Sequence, residues 1–281
     1  MAKIVEKLVE RYFPLVLMPR NYREMKSFEQ AASNLFASLP LPRRSIDYRD
    51  ENLNRTFSIL EHTKKGNLKK FIIIGAHYDT YSENCPGVND NGSGVVAVLV
   101  LAKLFRRLHT HYSYKFVLFP NEEPPFFRTK KMGSVQYADH LRDKELDPAC
   151  FFDIDCIGWW GEEIQNTAYQ KKLNKDTKSN FLAFLYNNKA GHVVDHALDY
   201  FPGKLEVAYF PECDFLDMTD TFIFRERGFP VVNFSDSAFF RKDGLYHTKH
   251  DTLEHINISA MSKAISHIAG FLVHLDHEEV L

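Results

Sequence analysis

Apolar positions in the first forty residues recur at helical spacing, with Phe28, Ala31, Ala32, Leu35 and Phe36 on one stripe. Ile4 to Leu39 therefore reads as two helices broken near Pro14 and Pro19, forming a packing layer. Beyond it the pattern changes. Phe71-Ile72-Ile73-Ile74 and Phe116-Val117-Leu118-Phe119 are short continuous apolar runs, separated by a longer apolar stretch from Val95 to Leu108. Further strands fit Phe151 to Ile157 and Pro230 to Phe234, helices fit Asn180 to Lys189 and Ile258 to His274, and the polar run Gln170 to Ser179 reads as a surface loop. Buried strands alternating with helices predict a largely parallel sheet covered on both faces. The expected fold is α/β, with a mixed, mostly parallel central sheet flanked by helices. No repeat or linker rich in Gly, Ser or Pro divides the chain, so residues 1–281 read as one domain with 1–45 as an N-terminal helical packing segment.

The 281 residues are 44% hydrophobic and 26% charged, which excludes disordered and collagen-like chains. Thirty-five Lys and Arg against 37 Asp and Glu leave a formal net charge of -2 without a block of one sign, which argues against nucleic acid as a partner. No run of about 18 apolar residues suggests a membrane span, and Met1 to Pro14 mixes charges into its apolar positions unlike a signal peptide. Cys85, Cys150, Cys156 and Cys213 show no Cys-x-x-Cys spacing. A cytoplasmic protein with reduced thiols and no membrane partner is expected.

Open parallel sheets bind ligands beyond the carboxyl ends of their strands. His77-Tyr78-Asp79 follows one apolar run, Asn121-Glu122-Glu123 follows another, and Asp153 and Asp155 lie in a third. Each alone has an ordinary explanation as a hydrogen-bonded pair or surface group. Together they place several carboxylates at the ends of buried strands, where each costs several kcal/mol unless neutralised. A divalent cation would neutralise them. In Pro86-Gly87-Val88-Asn89-Asp90-Asn91-Gly92-Ser93-Gly94 the glycines permit tight backbone, Asn91 or Ser93 can cap the following helix, and Asp90 stands at its entrance. In isolation this is a capped Asn/Gly turn; about ten residues after His-x-Asp it reads as a ligand loop.

These blocks, followed by Asp155-Cys156-Ile157-Gly158 and by Tyr246-His247-Thr248 ahead of Asp251-Thr252, resemble in order the five motifs of the clan MH zinc aminopeptidases. That group includes bacterial leucyl aminopeptidases, glutamate carboxypeptidases and glutaminyl cyclases. The resemblance spans His77 to Thr252 and implies a zinc-peptidase catalytic domain with the phosphorylase/hydrolase-like fold. It implies two zinc ions bridged by Asp90, one held by His77 and Asp155 and the other by Glu123 and His247, with other divalent ions as alternatives. Glu122 would be the general base, and Asp79 would fix the His77 imidazole by accepting its hydrogen bond. The substrate implied is a peptide with a free amino terminus. The same fold also carries a one-zinc glutaminyl-cyclase-like acyltransferase and non-catalytic binding proteins; a complete ligand set argues for the hydrolase.

Spacing alone leaves Asp153 and Asp155 as alternatives, since both face one side of the presumed strand; the Gly158 motif selects Asp155. Strand alternation predicts that Cys156 points away from the metals. His250 and His255 read as surface residues. Thr221 stands in Thr219-Asp220-Thr221-Phe222 where many relatives have His, which puts a substrate contact in doubt. Pro124-Pro125-Phe126-Phe127 and Ser235 to Arg241 resemble a bacterial subgroup. Phe126, Phe127, Phe239 and Phe240 line a substrate pocket or belong to the core, and Asp220 and Tyr246 join Phe126 and Phe239 as candidate substrate contacts.

Overall fold

The computed structural model describes residues 2–39, 43–160, 181–236 and 244–281. Helices α1 (Ala2–Val16) and α2 (Lys26–Ala37) precede a hairpin of β1 (Arg43–Asp50) and β2 (Arg55–Lys64). Then come β3 (Phe71–His77), α3 (Gly94–Phe105), β4 (Ser113–Phe119), α4 (Gly133–Asp143) and β5 (Cys150–Ile154). The chain continues with β6 (Leu182–Tyr186), α5 (Gly191–Tyr200), β7 (Val207–Pro211), α6 (Thr221–Glu226), β8 (Val231–Ser235) and α7 (Ile258–His277).

The eight strands form one sheet in the order β1-β2-β4-β3-β5-β8-β6-β7. Its centre, β4-β3-β5-β8, is parallel, while β1, β2 and the β6–β8 pair are antiparallel. This is the mixed, mostly parallel α/β fold that the apolar pattern predicts. Alternation along each central strand builds the two core layers. Ile72, Ile74, Phe152 and Ile154 meet α1, α3 and α7, whereas Ile73, Val117 and Phe151 meet α4 and α6. Because β4, β3, β5 and β8 run the same way, their carboxyl ends open onto one edge of the sheet.

Four departures from the sequence reading have local causes. Helix α1 runs through Pro14 because Val5, Val9, Tyr12, Phe13 and Val16 form a buried stripe on both sides of it; the chain breaks only toward Pro19. The run expected as a helix from Asn180 to Lys189 contains strand β6, since a short apolar run reads equally as either element and here it is buried between β8 and β7. The Phe151–Ile157 strand stops at Ile154. Finally, Val88–Phe105 and Ile258–His277 are apolar and long enough by composition to cross a membrane, contrary to the expectation that no segment would be; 89% of the first is buried in the core. The polar run Gln170 to Ser179 lies outside the described residues.

Candidate metal centre

His77 ends β3, a strand buried along its whole length, and the chain turns at once into Asp79. Asp79 ties this strand end to the next. Its Oδ1 accepts the backbone N–H of Glu122 and its Oδ2 that of Glu123, both at 3.0 Å. His77 Nδ1 lies 3.5 Å from Asp79 Oδ1 and has no well-formed hydrogen bond. The Asp79 carboxylate is thus spent chiefly on the Glu122-Glu123 turn that follows β4.

The loop carrying Asp90 is held from three sides. Gly87 adopts φ 60, a left-handed conformation that glycine permits without strain. Asn91 Nδ2 donates to Ile154 O at 2.9 Å and its Oδ1 accepts Gly94 N at 2.9 Å, tying the start of α3 to the end of β5. Asp251 accepts Asn89 N at 2.7 Å and Asp90 N at 2.9 Å. From below, the fully buried Arg20 donates Nη1 to Tyr78 O at 3.0 Å and Nη2 to the carbonyls of Pro86 and Gly87. Burial lowers the Arg20 pKa to about 10, opposed by Asp251, Asp79 and Asp90, so it stays charged at neutral pH.

Asp90 faces two different pairs. Its Oδ1 stands 3.4 Å from His77 Nε2, which is 3.8 Å from Asp155 Oδ1. Its Oδ2 stands 2.9 Å from His247 Nε2, which is 3.2 Å from Glu123 Oε1. Yet Asp90 Oδ2 is buried without a properly aligned hydrogen bond. One ligand atom each from His77, Asp90 and Glu123 lies within 4.8 Å of the others. Glu122 Oε2 approaches the same centre, 3.9 Å from His77 Nε2.

The charge balance follows from burial and from these neighbours. Burial raises the Glu122 carboxyl well above its usual range; His77 opposes this, and Glu123, Asp220 and Asp155 add to it. Burial and Asp90 raise Glu123 to about 7 against His247. Burial opposes charge on the imidazoles, but the carboxylates raise His247 to about 10 and His77 well above the ordinary histidine value. Those two rings in turn hold Asp90 below the usual carboxylate range, despite its burial. Two histidines, two aspartates and a glutamate, with a buried orphan oxygen between them, are a donor set that zinc accepts.

The profile of Peptidase family M28 matches residues 58–272, well over half of the chain. The chain belongs to peptidase family M28. It is 29% identical over 220 residues to the uncharacterized protein YfbL of Escherichia coli, covering 72% of this chain and 66% of that one. It is 27% identical over 212 residues to aminopeptidase YwaD of Bacillus subtilis, covering 74% of this chain and 42% of that one. Neither relative is spanned over two thirds of its own length. Among solved structures, the aminopeptidase from Aneurinibacillus sp. strain AM-1 superposes with a TM-score of 0.60 at 25% identity, over 79% of this chain and 48% of that one. LapB of Legionella pneumophila shares the fold, with a TM-score of 0.72 at 17% identity over 98% and 72% of the two chains.

In this M28 chain Asp155, not Asp153, contributes to the groups of candidate ligand atoms. Asp153 accepts a hydrogen bond from Asn233 at 3.0 Å and is raised well above the carboxylate range by burial and by Asp220 and Asp155. Asp220 is fully buried at the entrance to α6, and burial raises it to about 7. Phe126 belongs to the core, edge-on to Tyr22 and Phe57. Phe127 packs against Phe222, while Phe239 and Phe240 lie outside the described residues. Tyr246 stacks on His247 at 3.7 Å and Tyr81 at 4.0 Å, so two phenol rings hold the imidazole.

Tyr246 also lines a hollow with Asn89, Asp90, Trp159, Leu245, Asp251, His255 and Ile256. His255 lines this hollow and keeps a part-exposed side chain 3.5 Å from Glu254, and His250 is exposed, as expected of surface residues. Cys156 departs from expectation most. Since β5 ends at Ile154, alternation no longer applies, and with φ 56 at Cys156 the sulfur turns toward Asp155 Oδ1 at 3.2 Å. Sequence reasoning also missed Arg20 and Tyr81, which lie in no motif, and assigned Asp251 no role although it stands in the last one.

Proposed function

We propose that the protein is a metal-dependent aminopeptidase whose single catalytic domain hydrolyses the first peptide bond of substrates with a free amino terminus. The observation that carries this reading is the position of Asp90, one oxygen toward His77 and Asp155 and the other toward His247 and Glu123. His77, Asp155 and Asp90 would hold one zinc ion, and His247, Glu123 and Asp90 a second. Bound there, two such ions polarise a carbonyl and lower the pKa of a shared water toward neutrality. Glu122 accepts the proton of the attacking water and returns it to the leaving amine, a role that suits a buried carboxylate beside the donor set. Asp79 positions Glu122 and Glu123 through their backbone N–H groups. The four free cysteines suit a reducing compartment, and a cytoplasmic location belongs to the same proposal.

Elemental analysis beside hydrolysis of a panel of aminoacyl amides tests it. Two ions per chain and loss of activity on chelation are expected. A fully active preparation with one ion per chain would overturn the two-metal reading in favour of a mononuclear, cyclase-like centre.

A further inference from the structure

The sulfur of Cys156 sits among the proposed ligands. Its Sγ, one carboxylate oxygen of Asp90 and one of Asp155 all lie within 4.8 Å of one another, and all three residues are buried. We infer that Cys156 is a sulfur ligand to the cation shared by Asp90 and Asp155, which makes that half of the centre a mixed nitrogen, oxygen and sulfur site. The inference rests on the metal-binding reading above and extends its ligand set.

Three observations support it. First, the direction of the side chain is fixed by the backbone. Cys156 N–H donates to Asn91 Oδ1 at 3.2 Å, its carbonyl accepts Asp236 N at 2.5 Å, and its left-handed φ turns the Cβ off the line of β5. Second, His77 Nε2 lies 3.4 Å from Asp90 Oδ1 and 3.8 Å from Asp155 Oδ1, so the two carboxylates grouped with the sulfur also converge on one buried imidazole. Third, the spacing suits coordination. Zinc–sulfur bonds of about 2.3 Å and zinc–oxygen bonds of about 2.0–2.2 Å place S and O roughly 3–4 Å apart, and Cys156 Sγ is 3.2 Å from Asp155 Oδ1.

Without a cation the thiol donates its weak S–H to Asp155. On coordination that proton leaves to solvent and the thiolate bonds the metal, as coordinating thiols do. A soft sulfur in the set shifts preference toward zinc and cobalt and away from manganese and magnesium, which oxygen-rich sites accept.

Absorption spectroscopy of the cobalt(II)-loaded full chain tests this. The wild type is expected to show a thiolate-to-cobalt charge-transfer band in the near ultraviolet together with the visible d–d bands. Cys156→Ser and Cys156→Ala should lose the first and keep the second, and Cys85→Ser, a control at another buried thiol, should keep both. Zinc-over-manganese preference, measured by competition, should fall about 10- to 100-fold in Cys156→Ser. A wild-type spectrum with d–d bands and no sulfur band would overturn the Cys156 inference and leave the proposed centre intact. If no cobalt binds at stoichiometric loading, both readings fall.

Discussion

Asp251 Oδ2 accepts the backbone N–H of Asp90 at 2.9 Å, so the residue between the two proposed cation positions is held by a carboxylate from a segment 161 residues later in the chain. The other oxygen of Asp251 takes the N–H of Asn89 at 2.7 Å. An amide cannot accept both, because its nitrogen donates. Asp251→Asn should therefore leave the fold standing and weaken metal binding about 10- to 100-fold, the usual cost of losing a group that orients a ligand. Titration with zinc against a competing chelator measures it, and unchanged affinity would remove Asp251 from the loop's support.

Glu122 and Glu123 are adjacent in sequence, and the proposed function gives them separate tasks. Glu122→Gln should retain bound metal while turnover falls by about two to four orders of magnitude, the range for loss of a general base. Glu123→Gln should lose metal, since a neutral amide is a poor zinc ligand. Steady-state rates and metal content on both variants decide the assignment; near-normal turnover in metal-replete Glu122→Gln would end it.

Arg20 satisfies the carbonyls of Tyr78, Pro86 and Gly87 and sets a positive charge beneath Asp79, Asp90 and Asp251. Replacing it with Met strands those acceptors and leaves buried carboxylates uncompensated, which should cost about 3 kcal/mol or more in unfolding free energy. Added zinc should recover part of the loss, because a ligand that binds only the folded chain stabilises it. Denaturant unfolding with and without zinc provides the measurement.

His62 in β2 stacks on Phe36 with ring centroids 5.3 Å apart, and neither ring nitrogen has a hydrogen-bond partner. Burial lowers its pKa to about 4, against Glu61, from 6.5. The unfolded chain thus binds more protons between those values, so His62 destabilises the fold progressively as pH drops from about 6.5 to about 4. His62→Leu should flatten the fall in melting temperature over that window. An identical pH slope in wild type and variant would contradict the assignment.

The central strands are legible because Phe71 to Ile74 and Phe116 to Phe119 carry their burial in their composition; of the proposed ligands, His77, Glu123 and Asp155 stand at or just past the ends of such runs, whereas Asp90 rests on its glycine-rich loop and His247 on the family resemblance. Strand β1, by contrast, is Arg43 to Asp50, a charged edge segment whose partner β2 supplies the reason for its conformation. Strand β6 looked helical because five apolar residues have no length with which to declare a period. Alternation gives the wrong direction for Cys156 because β5 ends two residues before it, at Ile154, and the backbone at Cys156 is left-handed. Arg20 carries no signal at all: besides Val16 O four residues back, its partners are main-chain carbonyls 58 to 67 residues away, which no side-chain motif records.

That long reach sets a minimum size for the functional unit. All the proposed ligands lie within residues 58–272, the span shared with the family, whereas the guanidinium beneath them comes from residue 20. A fragment trimmed to the shared span would carry every donor atom and lack the floor on which the Asp90 loop rests. Boundaries drawn from family similarity alone therefore cut through the protein's own working core, and expression or grafting of this centre onto another scaffold must bring the segment after α1 with it.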